Sequence, residues 1–200
     1  QRWKFVVQSC LEKLQKGRSV LIGTDSVANS ELGSQFLSQA GLVHQILSAK
    51  QDKEEAAIVA EAGQPGRITI ATSMAGRGTD IKLDSSVKQA DGLHVIQTQL
   101  YESGRVDRQL AGRCARQGDP GSYEVLLAIE NQPWRTLQAK SFIMTAQSIG
   151  LKTSAGQAMG LKAFRKEQEF IERQNYLARQ ATLEYDLKQN ELLAMTGSND

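Results

Sequence analysis

Ser19-Val20-Leu21-Ile22-Gly23 is a short, uninterrupted apolar run with a helix-patterned stretch on either side. Before it, Trp3, Val6, Val7, Cys10, Leu11 and Leu14 recur at helical spacing, and Gly17 supplies the stop. After it, residues 30–40 read as helix, with Leu32, Phe36 and Leu37 on one face and Gly41 at the C-terminal cap position. The alternation continues outward. Residues 43–47, 68–71, 93–96 and 123–129 are strand candidates. Asp52-Lys53-Glu54-Glu55 opens a helix as an Asp-x-x-Glu variant of the capping box, Gly63 closes it, and residues 106–115 are helical. Strands alternating with helices at this interval predict an α/β fold of βαβ units, with a mainly parallel sheet and right-handed crossovers. Ligands of such a sheet bind beyond the carboxyl ends of the strands.

Composition narrows the function classes. Lys and Arg number 24 against 22 Asp and Glu, so the formal charge is +2 and the broad basic surface of a nucleic-acid binder is missing, though a local basic site is not excluded. A hydrophobic share of 40% with 23% charge disfavours a disordered, collagen-like or disulfide-dense chain. No apolar run approaches the roughly 18–20 residues of a membrane span. Gln1-Arg2-Trp3 leads into an amphipathic stretch rather than a signal peptide, and the missing initiator Met reads as a fragment or a processed product. Cys10 and Cys114 have no metal-like spacing and read as reduced thiols of a cytosolic protein. His44 and His94 lie in strand patterns without partners at ligand spacing, and read as structural.

The pattern shifts after Glu130, so the expected division is residues 1–130 and 131–200. Residues 131–160 carry Pro133, Gly150, Gly156 and Gly160 and read as short helices with breaks. Residues 161–193 contain neither Gly nor Pro, and Phe164, Ile171, Ala178, Tyr185 and Leu192 recur every seven residues. That predicts one long helix with a narrow apolar stripe, docked along a neighbour; a self-associating coiled coil is the alternative. Residues 196–200 read as a frayed end.

Two segments carry candidate chemistry. Thr72-Ser73-Met74-Ala75-Gly76-Arg77-Gly78-Thr79-Asp80-Ile81 follows a strand. Its glycines allow backbone N–H groups close to a ligand, and Thr79 and Asp80 add a hydroxyl and a carboxylate; a Gly-rich turn is the bland alternative. Gly112-Arg113-Cys114-Ala115-Arg116-Gln117-Gly118-Asp119-Pro120-Gly121 places two arginines three apart, on one face of a helix, where they could hold a polyphosphate or form a solvated basic face. The turn that follows would aim Asp119 at the same edge of the sheet.

Together these strings resemble the fifth and sixth helicase motifs of the second RecA-like domain of superfamily 2 ATPases, and more closely those of the SecA family of preprotein translocase motors. Ser48-Ala49-Lys50-Gln51, Ala60-Glu61-Ala62-Gly63-Gln64 and Leu183-Glu184-Tyr185-Asp186 are similar to that family too. Tyr101 stands where the family usually has His, Gly104 where it has Arg, and Cys114-Ala115 where it has Ser-Gly.

The resemblance implies a RecA-like, P-loop NTPase-type domain at 1–130 and a helical scaffold segment at 131–200. It implies that Arg113 and Arg116 act as catalytic arginine fingers, and that Gly78, Thr79, Asp80, Gln109 and Asp119 contact ATP. No G-x-x-x-x-G-K-[ST] occurs in the chain. The phosphate cradle and the Mg²⁺ ligands would therefore come from the family's first RecA-like motor domain, upstream of Gln1, and this polypeptide alone is expected not to hydrolyse ATP. The implied partners are that domain, a protein-conducting membrane channel and unfolded polypeptide. The implied location is cytoplasmic, peripheral on the cytoplasmic membrane face. The rival readings are the C-terminal domain of a superfamily 2 nucleic-acid helicase and a degenerate scaffold that no longer hydrolyses nucleotide. The near-neutral charge, the Gln-Gly-Asp-Pro-Gly string and the long helix argue against a nucleic-acid partner.

Overall fold

The computed structural model describes residues 2–47, 52–72, 80–130 and 132–196. The motif strings at 48–51 and 73–79, with the candidate ligands Gly78 and Thr79, lie outside the described residues, as do 197–200 of the expected frayed end. Residues through Gln132 form one compact unit and those from Pro133 form another.

In the first unit the strands are β1 (Val20–Thr24), β2 (Gln45–Leu47), β3 (Ile68–Thr72), β4 (Leu93–Gln97) and β5 (Gly121–Val125). All their pairings are parallel, in the order β2-β3-β1-β4-β5. The helices between them are α1 (Arg2–Gln15), α2 (Val27–Gln39), α3 (Asp52–Glu61), α4 (Ser85–Gln89) and α5 (Gly104–Ala111). β1 lies at the centre and every residue in it is buried, which is why its sequence is continuously apolar rather than alternating. Successive residues then serve opposite faces. Val20, Ile22, Ile68, Ile70 and Ile96 pack with Trp3, Val6, Cys10 and Leu37 of α1 and α2. Leu21, Ala71, Leu93 and Val95 pack with Val59 of α3 and Leu110 of α5.

Trp3 lies stacked against Phe36, with ring centroids 6.4 Å apart, and seats on Gly33 of α2. A methyl group at Gly33 would come within 2.5 Å of the Trp3 ring.

Several elements differ from the sequence expectation. β2 is shorter, because Val43 is 80% exposed and outside the ladder. β5 begins at Gly121 and ends at Val125, two residues earlier at its start and four earlier at its end than residues 123–129. α5 starts at Gly104, because Ser103 caps it and accepts the Arg105 N–H at 3.3 Å. α4, led by Asp84 accepting the Ser86 N–H at 2.8 Å, is an element that periodicity does not mark.

Beneath α1 runs a polar network. His94 is buried in β4, with Nδ1 2.7 Å from Ser122 Oγ and Nε2 2.9 Å from Glu124 Oε1. Ser9 of α1 donates to Glu124, and Arg18 donates to Ser122 Oγ at 2.7 Å and to the Gly92 carbonyl at 2.8 Å. His44 sits between Ser34 Oγ (2.6 Å) and the Leu42 carbonyl (2.9 Å). Both histidines are thus structural. Cys10 and Cys114 are free, and burial pushes the Cys10 thiol up to about 12, so it stays protonated.

In the second unit α6 (Leu137–Ile149) packs on α7 (Ser154–Thr196). Glu167 of α7 is buried, and its carboxylate accepts the Arg135 and Thr136 N–H groups at 3.0 and 3.3 Å, just before α6 begins. Trp134 meets Phe164 edge-on at 4.9 Å. The long helix is continuous and starts earlier than expected, running through Gly156 and Gly160, both buried. Its stripe docks only in part. Ala163 and Phe164 are buried, whereas residues 176–190, with Ala178 and Tyr185, are exposed. Among the described residues no helix is long and apolar enough to cross a membrane.

Gly33→Ala should destabilise the chain by about 1–3 kcal/mol in urea unfolding, despite the ~1 kcal/mol that Ala ordinarily adds in a helix. A stabilised variant would contradict the Trp3 contact. A second test is acid. The His94 hydrogen bond, helped by Ser9 and opposed by burial, holds the Glu124 carboxyl below its ordinary 4.5. Its contribution is therefore present above pH 4.5 and lost as pH falls through the lower folded value. Below pH 4.5 wild-type stability should fall more steeply than that of Glu124→Gln; parallel curves would contradict the assignment.

Candidate functional site

The segment joining α5 to β5 is where the candidate side chains gather. α5 stops at Ala111 with Gly112 as its C-cap. The Arg113 N–H donates to the Leu110 carbonyl at 3.0 Å, and Cys114 supplies both its N–H (3.2 Å) and its Sγ (2.9 Å) to the Ala111 carbonyl. Ala115 then turns left-handed (φ 55°), as does Gln117 (φ 53°). A single 3₁₀ turn, Arg116–Gly118, separates α5 from the strand. The expected helix through residue 115 is therefore corrected: Arg113 and Arg116 do not share a helix face. Arg113 follows the α5 cap and its charge acts on Tyr101, and Arg116 lies in the turn beyond.

A cluster there joins both motif strings. The Arg116 guanidinium pairs with Asp80, and its Nε donates to the Gly112 carbonyl at 3.0 Å. Gln117 Nε2 lies 3.5 Å from the other Asp80 oxygen. Asp119 pairs with Lys88 of α4 at 2.7 Å. Gln109 lies on the exposed side of α5. Of the expected residues, then, Asp80 and Arg116 are brought together, and Asp119 is held close by in the same segment. The cluster lies at the entry to β5, not beyond the carboxyl ends of the strands, because α5 runs back along the sheet before the chain turns into β5.

The close fit at that entry depends on Gly92. Its φ of +70° suits glycine, and a Cβ there would overlap the Pro120 carbonyl. Lys88 was invisible to motif reading. The Asp84-Ser85-Ser86 cap signal ahead of it could have marked the short helix that carries it.

Tyr101 braces the other end of α5. It is buried, its hydroxyl donates to the Thr24 carbonyl at 3.0 Å, and its N–H donates to Asp107 at 2.9 Å. Burial, and then the Asp107 charge, hold the phenol well above its ordinary value. It remains a neutral donor.

Among the described residues no group of three or more His, Cys, Asp or Glu side chains could hold a metal ion. Asp80, the nearest carboxylate to Arg116, is already engaged by that arginine. The Arg116 guanidinium thus suits an anionic ligand.

The sequence pattern of the SecA P-loop domain matches residues 1–90 and 84–154. The chain is 44% identical over 200 residues to protein translocase subunit SecA 3 of Magnetococcus marinus, covering 96% of this chain and 30% of that protein. It is 42% identical to protein translocase subunit SecA of Amoebophilus asiaticus, over 95% of this chain and 17% of that protein. With protein translocase subunit SecA 2 of Nitrosospira multiformis it shares 52% identity over 131 residues, 66% of this chain and 20% of that protein. The chain thus spans less than a third of the length of these relatives. Among solved structures it is similar to Mss116p DEAD-box helicase domain 2 bound to an RNA duplex, with a TM-score of 0.50 and 14% identity, over 82% of this chain and 64% of that one. That likeness is one of fold, a RecA-like parallel sheet with its helices.

Tyr101→Phe should cost about 1 kcal/mol in urea unfolding, because the buried Thr24 carbonyl loses a donor. An unchanged midpoint would mean that the hydroxyl does not brace α5.

Proposed function

This chain belongs to the SecA P-loop domain family, and we propose that it works there as the second RecA-like motor domain, residues 1–130, with a helical scaffold segment, residues 131–200, of a protein-translocating ATPase. The observation that carries the reading is the meeting of Arg116 with Asp80, which joins the two motif strings across 36 residues of sequence. In this reading ATP lies between this domain and a P-loop domain that supplies the phosphate cradle and the Mg²⁺ ligands.

Arg116 is the cation for the phosphates. Asp80 neutralises its guanidinium and fixes its direction. When the two motor domains close, a polyphosphate offers the same planar fork a stronger anion, and Arg116 exchanges one partner for the other. Charge grows on the γ-phosphoryl oxygens during transfer, so a guanidinium placed there favours the transition state over the ground state. Arg113, nearer Tyr101, is the second cation and the one more dependent on closure. Asp119, Gln109 and the Gly78–Thr79 backbone contribute to nucleotide position. Closure and opening of the cleft would move the scaffold helix against polypeptide-binding parts and a membrane channel, with the protein peripheral on the cytoplasmic membrane face.

The test is steady-state ATPase of the intact translocase carrying this segment. Arg116→Ala should lower kcat by about 10³-fold or more, with a KM change of less than about threefold. Arg116→Lys should not restore it, because a point charge does not reproduce the fork. A change in KM alone, or none, would mean that these arginines form a solvated face.

A further inference from the structure

We propose that Lys88 is a positioning residue of this site, clasping Asp119 to α4 and so holding the 113–119 segment in the shape that presents Arg116. What this does for nucleotide rests on the reading above; the clasp itself does not.

The argument begins with the backbone. Ala115 and Gln117 are L-residues in the left-handed region, at φ 55° and 53°, and Gly118 follows at φ 85°. Such a run is intrinsically unfavourable and persists only where the surroundings over-determine it. Some of that constraint is local. The Asp119 N–H donates to the Arg116 carbonyl at 2.8 Å, and Arg116 Nε reaches back to Gly112. Those bonds close the turn on itself but do not fix it to the sheet.

Two long-range ion pairs do so, and both come from one stretch of chain, residues 80–88. Asp80 takes the Arg116 guanidinium, and Lys88 Nζ takes Asp119 Oδ1 at 2.7 Å. The charge order is crossed: the loop offers a cation to an acid and an acid to a cation. A displacement that keeps one pair therefore strains the other.

Lys88 is well placed to anchor. Its neighbour Val87 is fully buried, Asp84 caps the helix, and the Gly92 N–H returns to the Val87 carbonyl at 2.8 Å before the chain enters β4. Asp91 and Gly92, both at positive φ, make that return tight. The lysine stem thus stands on a short helix fixed to the central sheet. Asp119, at 24% side-chain exposure, is the more enclosed partner, which favours a pair stronger than one between two mobile surface groups.

Amide exchange in this chain, read by NMR, tests the clasp. Lys88→Gln should speed exchange at residues 116–119 by about three- to fivefold, the upper scale of a single partly exposed ion pair, while β1 and β4 keep wild-type rates. Lys88→Arg should retain slow exchange. The charge-reversed double variant Lys88→Asp with Asp119→Lys should return to within about twofold of wild type, and each single reversal should not. Unchanged exchange in Lys88→Gln, or a double variant no better than the singles, would overturn the proposal. In the intact translocase, Lys88→Gln should lower kcat for ATP severalfold, because Arg116 is presented less often, and raise KM through Asp119. If loop exchange responds and neither constant moves, the clasp stands and its role in the nucleotide site falls.

Discussion

A strand at the centre of a parallel sheet must bury both its faces, and the rest of this chain is arranged around meeting that demand at β1. Val20 and Ile22 need one layer, which α1 and α2 provide; Leu21 needs another, which α3 and α5 provide. Covering both faces forces the chain to cross the sheet edge repeatedly. Each crossing leaves a polar segment at a rim of an otherwise dry core. The candidate site is one of those segments, between the end of α5 and the start of β5.

The site's position follows from that architecture. α5 is anchored at its start by Ser103 and Tyr101 and on the sheet by Leu110. Its last turn is thereby fixed, and the residues after Gly112 must reach β5 in a short distance. Left-handed Ala115 and Gln117 make the turn, and the ion pairs to Asp80 and Lys88 hold it. Arg116 thus has a defined direction without being part of a helix.

Most of the fold was legible because the buried strands are continuous apolar runs. Val20–Thr24, Ile68–Thr72 and Leu93–Gln97 match the expected strands to within a residue or two. β5 was harder, since Ser122 and Glu124 are polar and belong to the network with His94 and Ser9, a pairing that periodicity does not reveal. The short α4 is below the length at which a helical period shows. The end of α5 was misjudged because the positive φ at Ala115 and Gln117, which takes the chain out of the helix, has no composition signal. In the candidate site, motif reading named Arg116, Asp80 and Asp119, which the fold gathers at one sheet edge, but it expected a helix joining Arg113 to Arg116 where α5 ends at Ala111. Lys88 carries no motif at all, and only the folded chain brings it to Asp119. The long helix ran on through Gly156 and Gly160, where burial outweighs the low helix propensity of glycine.

The central claim is that Arg116 exchanges Asp80 for phosphate. The most direct measurement is a structure of the intact translocase carrying this segment, with ADP and a planar fluoride mimic of the transferring phosphoryl group. The account predicts the Arg116 guanidinium within hydrogen-bond reach of the fluoride group and released from Asp80. Arg116 still paired with Asp80 in that closed state would contradict it.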